Sequence, residues 1–136
     1  MALAVLSVVG LATAPPLRRG QVAVYAAGEI WEHGGHGEGL LDDLWKYDFE
    51  QWSLTNVSGG PGLRMHHVAV SDKDTLWLHG GVADGPLGDL WQFRISARTW
   101  SRQSPPIAPC VGRKQGACCR GFVLEELGLG LRIWDF

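Results

Sequence analysis

Histidine is the residue type in this chain whose number and spacing most readily suggest chemistry. Five histidines occur among the 136 residues: His33, His36, His66, His67 and His79. Neutral imidazole nitrogens bind zinc and other transition metals, and His33 and His36 have a loose chelating spacing. His33 and His79 are interpreted more simply as strand-end residues. We therefore predict no metal and no cofactor, with a metal-binding or enzymatic protein that uses the repeated histidines as the alternative.

Adjacent carboxylates provide a second candidate for catalysis, through general acid–base chemistry. Asp42 and Asp43 are neighbours, but Asp89 has the place of Asp43 in a second, similar stretch of sequence. An acid that recurs in this way is typical of a turn or the start of a strand. The chain contains no G-x-S-x-G, P-loop or G-x-G-x-x-G motif. We therefore predict a non-catalytic protein.

The cysteines and the overall charge exclude further classes. Cys110, Cys118 and Cys119 are an odd number with an adjacent pair, so they do not predict a disulfide framework or a zinc site. We interpret them as free thiols in a tail. Lys and Arg number 12 against 14 Asp and Glu, a net charge of -2, whereas nucleic-acid binding domains usually have a basic excess. No nucleic-acid partner is predicted.

The first 14 residues form an apolar lead. Residues 2–14 contain no charge, but this run is shorter than the roughly 20 residues that span a membrane, so no membrane partner is predicted. The run is interpreted as a stray strand of a preceding repeat, with a signal peptide as the alternative. The compartment stays open: we expect the cytoplasm, or secretion if residues 1–14 are a signal peptide.

An internal repeat of about 46 residues defines the elements that must position these side chains. Trp31 recurs as Trp77, and 15 of the 33 positions are identical between residues 15–47 and 61–93. Chance would give about two or three identities. A two-residue insertion in the second copy then aligns Trp52 with Trp100. The second copy predicts strands at residues 67–70, 75–79, 90–95 and 99–103, with Gly80-Gly81 ending the second strand and a loop at 82–88.

Four strands in a unit of this length are typical of a β-propeller blade. The order of motifs resembles the kelch repeat. In the second copy the matching residues are Arg64, His67, Gly80, Gly81, Asp89, Leu90, Trp91 and Trp100. In the first copy they are Arg18, Gly34, Gly35, Asp43, Leu44, Trp45 and Trp52, with Gln21 in the place of His67.

This resemblance implies an all-β fold: a partial kelch-type β-propeller of two four-stranded antiparallel blades plus incomplete flanking blades. Residues 15–60 would be the first repeat and residues 61–106 the second. Residues 107–136 would be a degenerate or truncated third repeat or tail. Propellers typically have 4–8 blades. We therefore expect a fragment of a longer propeller, with a self-assembling oligomer that completes one as the alternative.

The resemblance also implies a protein–protein interaction module that binds through loops on one rim of the propeller. The rim candidates lie at the entry to the first strand and in the loops at 36–42 and 82–88: Arg18, Arg64, His36, Glu38, Asp42 and Asp84. We expect exposed Arg and His to bind an acidic peptide segment of a protein partner. The structural repeat positions are Gly34, Gly35, Gly80, Gly81, Trp45, Trp91, Trp52 and Trp100.

Overall fold

Residues 14–104 of the computed structural model are described, and they fold into two four-stranded antiparallel sheets. The first sheet, blade 1, contains β1 (Val22–Ala26), β2 (Glu29–His36), β3 (Leu40–Tyr47) and β4 (Trp52–Leu54). The second, blade 2, contains β5 (Val68–Asp72), β6 (Thr75–Val82), β7 (Pro86–Arg94) and β8 (Thr99–Gln103). Each blade is a meander in which neighbouring strands in sequence are hydrogen-bonded. The all-β prediction of two four-stranded blades is confirmed.

The predicted strand ends differ from the structure on either side of the glycine doublet. We predicted that Gly80-Gly81 ends the second strand, but β6 continues to Val82, and β7 starts at Pro86 within the predicted 82–88 loop. The register of β6 against β7 shifts between His79 and Gly81, so the doublet is a β-bulge inside the strand. Gly80 and Gly81 have φ angles of 67° and 98°, which glycine adopts without steric cost.

Each blade has two faces, because side chains alternate along a strand and register partners point to the same side. On blade 1, the forward face contains Val22, Val24, Trp31, His33 and Leu44. On blade 2, the rear face contains Ala69, Leu76, Leu78, Phe93 and Trp100. These two faces line the same narrow inter-blade space or pack in the same core, so blade 1 stacks forward face to rear face on blade 2.

The core between the blades is built around aromatic side chains. Phe93 is completely buried, and its ring centroid lies 5.6 Å from that of Trp31 and 4.9 Å from that of Trp100. The indole of Trp31 also donates a hydrogen bond to the Ala26 carbonyl at 3.3 Å. Aromatic side chains of this size bury a large apolar area and pack here together with Ala26, Leu44 and Leu76 in one core.

Backbone hydrogen bonds between the blades lie near the glycine bulge of blade 1. The Gly35 amide donates to the Arg64 carbonyl at 2.9 Å, and the Arg64 amide donates to the Leu41 carbonyl at 3.1 Å. A Cβ on Gly34 would lie 2.9 Å from the Arg64 carbonyl oxygen, so only glycine lets the two backbones approach this closely. The bulge therefore fixes blade 2 against one end of blade 1.

The predictions for the apolar lead and for the cysteine-containing tail concern residues outside the described range of 14–104. Within that range there is no helix long and apolar enough to cross a bilayer.

Candidate functional site

Each blade contains a bidentate ion pair between an arginine and an aspartate at one end of the sheet. In blade 1 the guanidinium of Arg18 donates to both oxygens of Asp43, at 2.6 and 2.8 Å. In blade 2 the guanidinium of Arg64 donates to both oxygens of Asp89, at 2.7 and 2.9 Å. Bidentate Arg–carboxylate pairs are among the strongest hydrogen-bonded arrangements in proteins. In both repeats, therefore, the arginine at the rim forms an ion pair within its own blade. We refer to this bidentate arginine–aspartate ion pair as the fastening of the blade.

The same guanidinium groups hold the glycine bulges. Arg18 Nη1 donates to the Gly34 carbonyl at 3.0 Å, and Arg64 Nη1 donates to the Gly80 carbonyl at 2.9 Å. The carboxylate of Asp89 accepts a further hydrogen bond from the indole of Trp91 at 2.6 Å. Burial would raise the pKa of Asp89, but the hydrogen bonds from Arg64 and Trp91 outweigh it and lower the pKa to about 2. Asp89 is therefore an ionised structural residue at neutral pH.

The expectation that Arg18 and Arg64 are exposed is wrong. Their side chains retain only 2% and 3% exposure. The physical reason is that each guanidinium finds a carboxylate and a bulge carbonyl on its own blade, which satisfy its donors without water. Direct contact of either arginine with a partner stays a prediction, and both sit immediately beneath the rim surface.

The other rim candidates lie closer to solvent. Glu38, Asp42 and Asp84 are exposed and His36 is half-buried. The His36 and Arg19 backbones form an isolated bridge with hydrogen bonds of 2.8 and 3.0 Å. Residues 16–19 and His36 to Gly39 line one open depression, which brings His36 and Glu38 together with the exposed Arg19. Asp84 lies in the corresponding loop of blade 2, so the rim continues across both blades.

Comparison with known families agrees with this geometry. Residues 5–124 match the model of the KLHDC2/KLHL20/DRC7 Kelch-repeats domain. The chain belongs to the kelch-repeat family. A search of curated proteins found no match. The resemblance of the two copies to kelch repeats is thus confirmed, and membership of this family supports a protein-interaction module at the level of the whole domain.

Two exposed leucines form part of the kelch rim and were missed by the sequence analysis. Leu17 is 98% exposed and Leu63, its equivalent in the second repeat, is 50% exposed. Each immediately precedes a buried arginine of the fastening, which fixes the backbone from which the leucine projects. The repeat could have identified them, because leucine occupies the same position of both copies in a segment that forms no strand. Single exposed leucines are common on protein surfaces, and it is the recurrence of these two at one repeat position that makes them candidates for a binding surface.

The kelch histidines pair between the blades. The Nδ1 of His33 lies 3.2 Å from the Nε2 of His67, and both rings are buried. His33 also packs edge-on against Trp100, with ring centroids 5.7 Å apart. The described part of the chain, residues 14–104, has no group of three or more histidine, cysteine or acidic side chains placed to hold a metal ion. The interpretation of His33 and His79 as strand-end residues is wrong, because β2 and β6 continue through the glycine bulge to His36 and Val82, and both histidines lie inside their strands.

The buried histidine pair predicts that the folded chain becomes less stable at acidic pH. Burial is the main reason that the pKa of His33 is lowered to about 3 and that of His67 to about 4, with smaller contributions from the His67 charge at His33 and from the Arg64 charge at both rings. The unfolded chain therefore binds protons near pH 6.5 that the folded chain does not bind, so the free energy of unfolding decreases as the pH falls from about 6.5 toward 4. Changing His67→Gln, the residue at the equivalent position 21, is expected to make this decrease shallower by up to about 1.4 kcal/mol per pH unit.

Urea unfolding between pH 7 and pH 4 measures this effect. The exposed neighbour His66 provides the control, because His66→Gln removes an imidazole that is open to solvent and is not part of the buried contact between His33 and His67. We expect His66→Gln to keep the wild-type dependence of the free energy of unfolding on pH. If His67→Gln also had the same pH dependence as the wild type, the role given to the buried histidine pair would be contradicted.

Proposed function

We propose that this chain is a non-catalytic kelch-type interaction module that binds a segment of a protein partner at the rim. The rim surface consists of the two segments that enter the first strand of each blade, residues 16–19 and 62–66, and the two segments that connect the second strand to the third, residues 36–42 and 82–88. The observation that supports this proposal best is the pair of exposed leucines at one repeat position, Leu17 and Leu63. The prediction that the chain is part of a longer propeller stands beside this proposal.

The rim is suited to binding because its backbone is held in place before a partner arrives. The fastenings of Arg18 to Asp43 and of Arg64 to Asp89 tie each strand-entry segment to the third strand of its own blade. Each arginine Nε also donates to a carbonyl two residues earlier in the chain, at 3.1 Å in both blades. A surface that is ordered in advance loses less conformational entropy when it binds, which favours affinity.

The leucines would act as the apolar anchors of the interface. Full burial of one leucine side chain contributes about 1.5–3 kcal/mol. Val82, which is 37% exposed, adds apolar area on blade 2, and its backbone bridges to Met65, two residues after Leu63 in the same strand-entry segment. A partner segment that crosses both blades can therefore bury apolar side chains at two places on the rim.

The exposed charges of the rim determine which partner fits between these anchors. Because Arg18 and Arg64 are neutralised internally, the exposed charges of the rim segments are the carboxylates of Glu38, Asp42 and Asp84 and the guanidinium of Arg19. This balance favours a partner whose apolar side chains are flanked by basic residues. The predicted acidic peptide would depend on Arg19, and binding of that peptide stays a prediction.

A peptide selected on the wild-type chain tests the rim assignment. The probe is the tightest binder from a random phage-displayed peptide library, synthesised with a fluorophore. Leu17→Glu and Leu63→Glu are each expected to weaken its binding at least about tenfold, because each removes an apolar anchor of about 1.5 kcal/mol or more and places a carboxylate that would have to lose its hydration in the contact.

The matched control is Leu54→Glu, because Leu54 is also an exposed leucine but lies at the end of β4. We expect this control to bind the peptide as the wild type does. Arg19→Glu and Glu38→Lys then report the sign of the partner's charge: a basic segment gains affinity from Arg19→Glu, and an acidic segment gains from Glu38→Lys. Undiminished binding by both Leu17→Glu and Leu63→Glu would rule out the rim.

A further inference from the structure

His66 has a backbone conformation that its own side chain disfavours. Its φ angle is 55°, in the left-handed region, where a residue other than glycine has a steric cost. The equivalent position of the first repeat is Gly20, which adopts a φ angle of 66° without that cost. The second repeat therefore has a histidine at a place where glycine suits the backbone better.

Hairpin turns explain the other positive φ angles of non-glycine residues, but not that of His66. Among residues 14–104, four such residues lie in the turns between consecutive strands of a blade: Ala27, Phe49, Lys73 and Arg98. His66 belongs instead to the segment that enters β5. Strained residues of this kind cluster at ligand-binding sites, where the side chain has a use that offsets its cost.

The imidazole of His66 lies where the strand-entry segments of the two blades meet. The His66 amide donates to the Gly20 carbonyl at 2.8 Å. A Cβ on Gly20 would lie 3.1 Å from Cε1 and 3.2 Å from Nδ1 of the ring, so the lack of a side chain at residue 20 leaves room for the imidazole. His66 is nevertheless exposed. The ring is thus held on the rim, where the segments that contain Leu17 and Leu63 come together.

This junction also contains the exposed positive charge of the rim. Arg19 is exposed and directly precedes Gly20. Within residues 14–104, neither the Arg19 guanidinium nor the His66 imidazole forms a side-chain hydrogen bond or an ion pair. The exposed carboxylates of the rim lie elsewhere, in the segments that connect the second strand to the third. Guanidinium and imidazolium groups both form strong hydrogen bonds with carboxylates, so the junction suits an acidic side chain.

The residues around His66 do not change charge near neutral pH. The charged and titratable residues next to it on the two strand-entry segments and at the start of β5 are Arg18, Arg19, Arg64 and His67. Arginine stays protonated, and Arg18 and Arg64 are held in the fastenings. Burial lowers the pKa of His67 to about 4, so this ring is neutral at pH 5.5 and above. Exposed histidine is the side chain that usually gains a proton between pH 8 and pH 5.

We propose that His66 is a specificity-determining residue of the rim, which binds a carboxylate of the partner segment beside Arg19 and binds it more tightly at acidic pH. This inference rests on the proposed function of the rim and specifies the partner as an acidic peptide segment. Basic residues of the same segment would then contact the carboxylates of the connecting segments. The imidazole would offset the backbone cost of histidine at this position by its contribution to binding.

The substitution His66→Gly tests the proposal, because it gives the second repeat the residue of the first. Glycine relieves the strained backbone, so we expect the variant to unfold at a higher urea concentration than the wild type. A loss of binding by this variant would therefore not result from a loss of folding.

The probe is the tightest binder selected on the wild type at pH 5.5 from a random phage-displayed peptide library, synthesised with a fluorophore. We expect this peptide to contain Asp or Glu. We expect the wild type to bind it about five- to tenfold more tightly at pH 5.5 than at pH 7.5, because a protonated imidazole forms the stronger hydrogen bond to a carboxylate. His66→Gly is expected to bind with about the same Kd at both pH values.

His36→Gln is the matched control, because His36 is a second imidazole of the rim, at the end of β2. This variant is expected to keep the pH dependence of the wild type. A selected peptide without Asp or Glu, or the same pH dependence in the wild type and His66→Gly, would overturn the role of His66. Undiminished binding of the peptide by both Leu17→Glu and Leu63→Glu would instead overturn the rim assignment itself, so the two failures are distinguishable.

Discussion

Replacing Phe93 by alanine is expected to lower the free energy of unfolding by about 3–5 kcal/mol, because the change removes a large buried side chain and leaves a cavity. Phe93 is the completely buried ring between Trp31 of blade 1 and Trp100 of blade 2. A small domain has only about 5–15 kcal/mol in total, so this loss would be a large share of the stability. Urea unfolding measures the effect as a lower midpoint concentration of urea, with an unchanged dependence of the free energy of unfolding on urea concentration.

The control for Phe93 is Phe49→Ala. Phe49 is 57% exposed, and its ring contacts Tyr25 and Tyr47 at the surface of blade 1. We expect this change to cost less than about 1 kcal/mol, as is usual for exposed positions. Similar losses for the two phenylalanines would mean that the contact between the blades does not depend on the aromatic core.

Replacing Arg64 by methionine is expected to cost about 3 kcal/mol or more. Methionine retains much of the side-chain length but leaves the half-buried carboxylate of Asp89 without its bidentate partner and the Gly80 carbonyl without its donor. Removing one member of a buried ion pair is costly because the remaining charge stays in a poorly solvated place. Thermal or urea unfolding at neutral pH measures the loss.

Arg19 is the matched control for Arg64, because it is exposed and lies next to the equivalent residue, Arg18, in the first repeat. Arg19→Met is expected to change stability by no more than about 0.5 kcal/mol. In the double variant Arg64→Met with Asp89→Asn, the loss should be smaller than the sum of the two single losses, since the pair acts as a unit. Additive losses would contradict the fastening.

The repeat predicted the fold because its period and its strand patterns agree in both copies. The predicted strand at residues 99–103 has the bounds of β8 (Thr99–Gln103). The bounds around Gly80 and Gly81 were wrong because a glycine doublet can end a strand or form a bulge within it, and only the register against β7 distinguishes the two. Periodicity identifies equivalent positions, and it does not say how far a strand continues.

The rim was predicted less well, since a repeat does not reveal which polar groups pair. Arg18 and Asp43 recur together as Arg64 and Asp89 at the same separation, a signal that favours an internal ion pair over two free arginines. The contact of His33 with His67 could not be predicted from the period, because it crosses between blades and the equivalent of His67 is Gln21. The exposed leucines were visible only once the strand entries had been placed.

Hydrogen exchange in the presence of a selected rim-binding peptide tests the central proposal most directly. If the rim is the binding surface, the peptide will protect backbone amides from exchange in segments 16–19, 36–42, 62–66 and 82–88. The outer hairpins, which are the connections of β3 to β4 and of β7 to β8, will exchange as in the free chain. Protection confined to those outer hairpins, with no change in the four rim segments, would contradict the proposal that this kelch-repeat chain binds its partner at the rim.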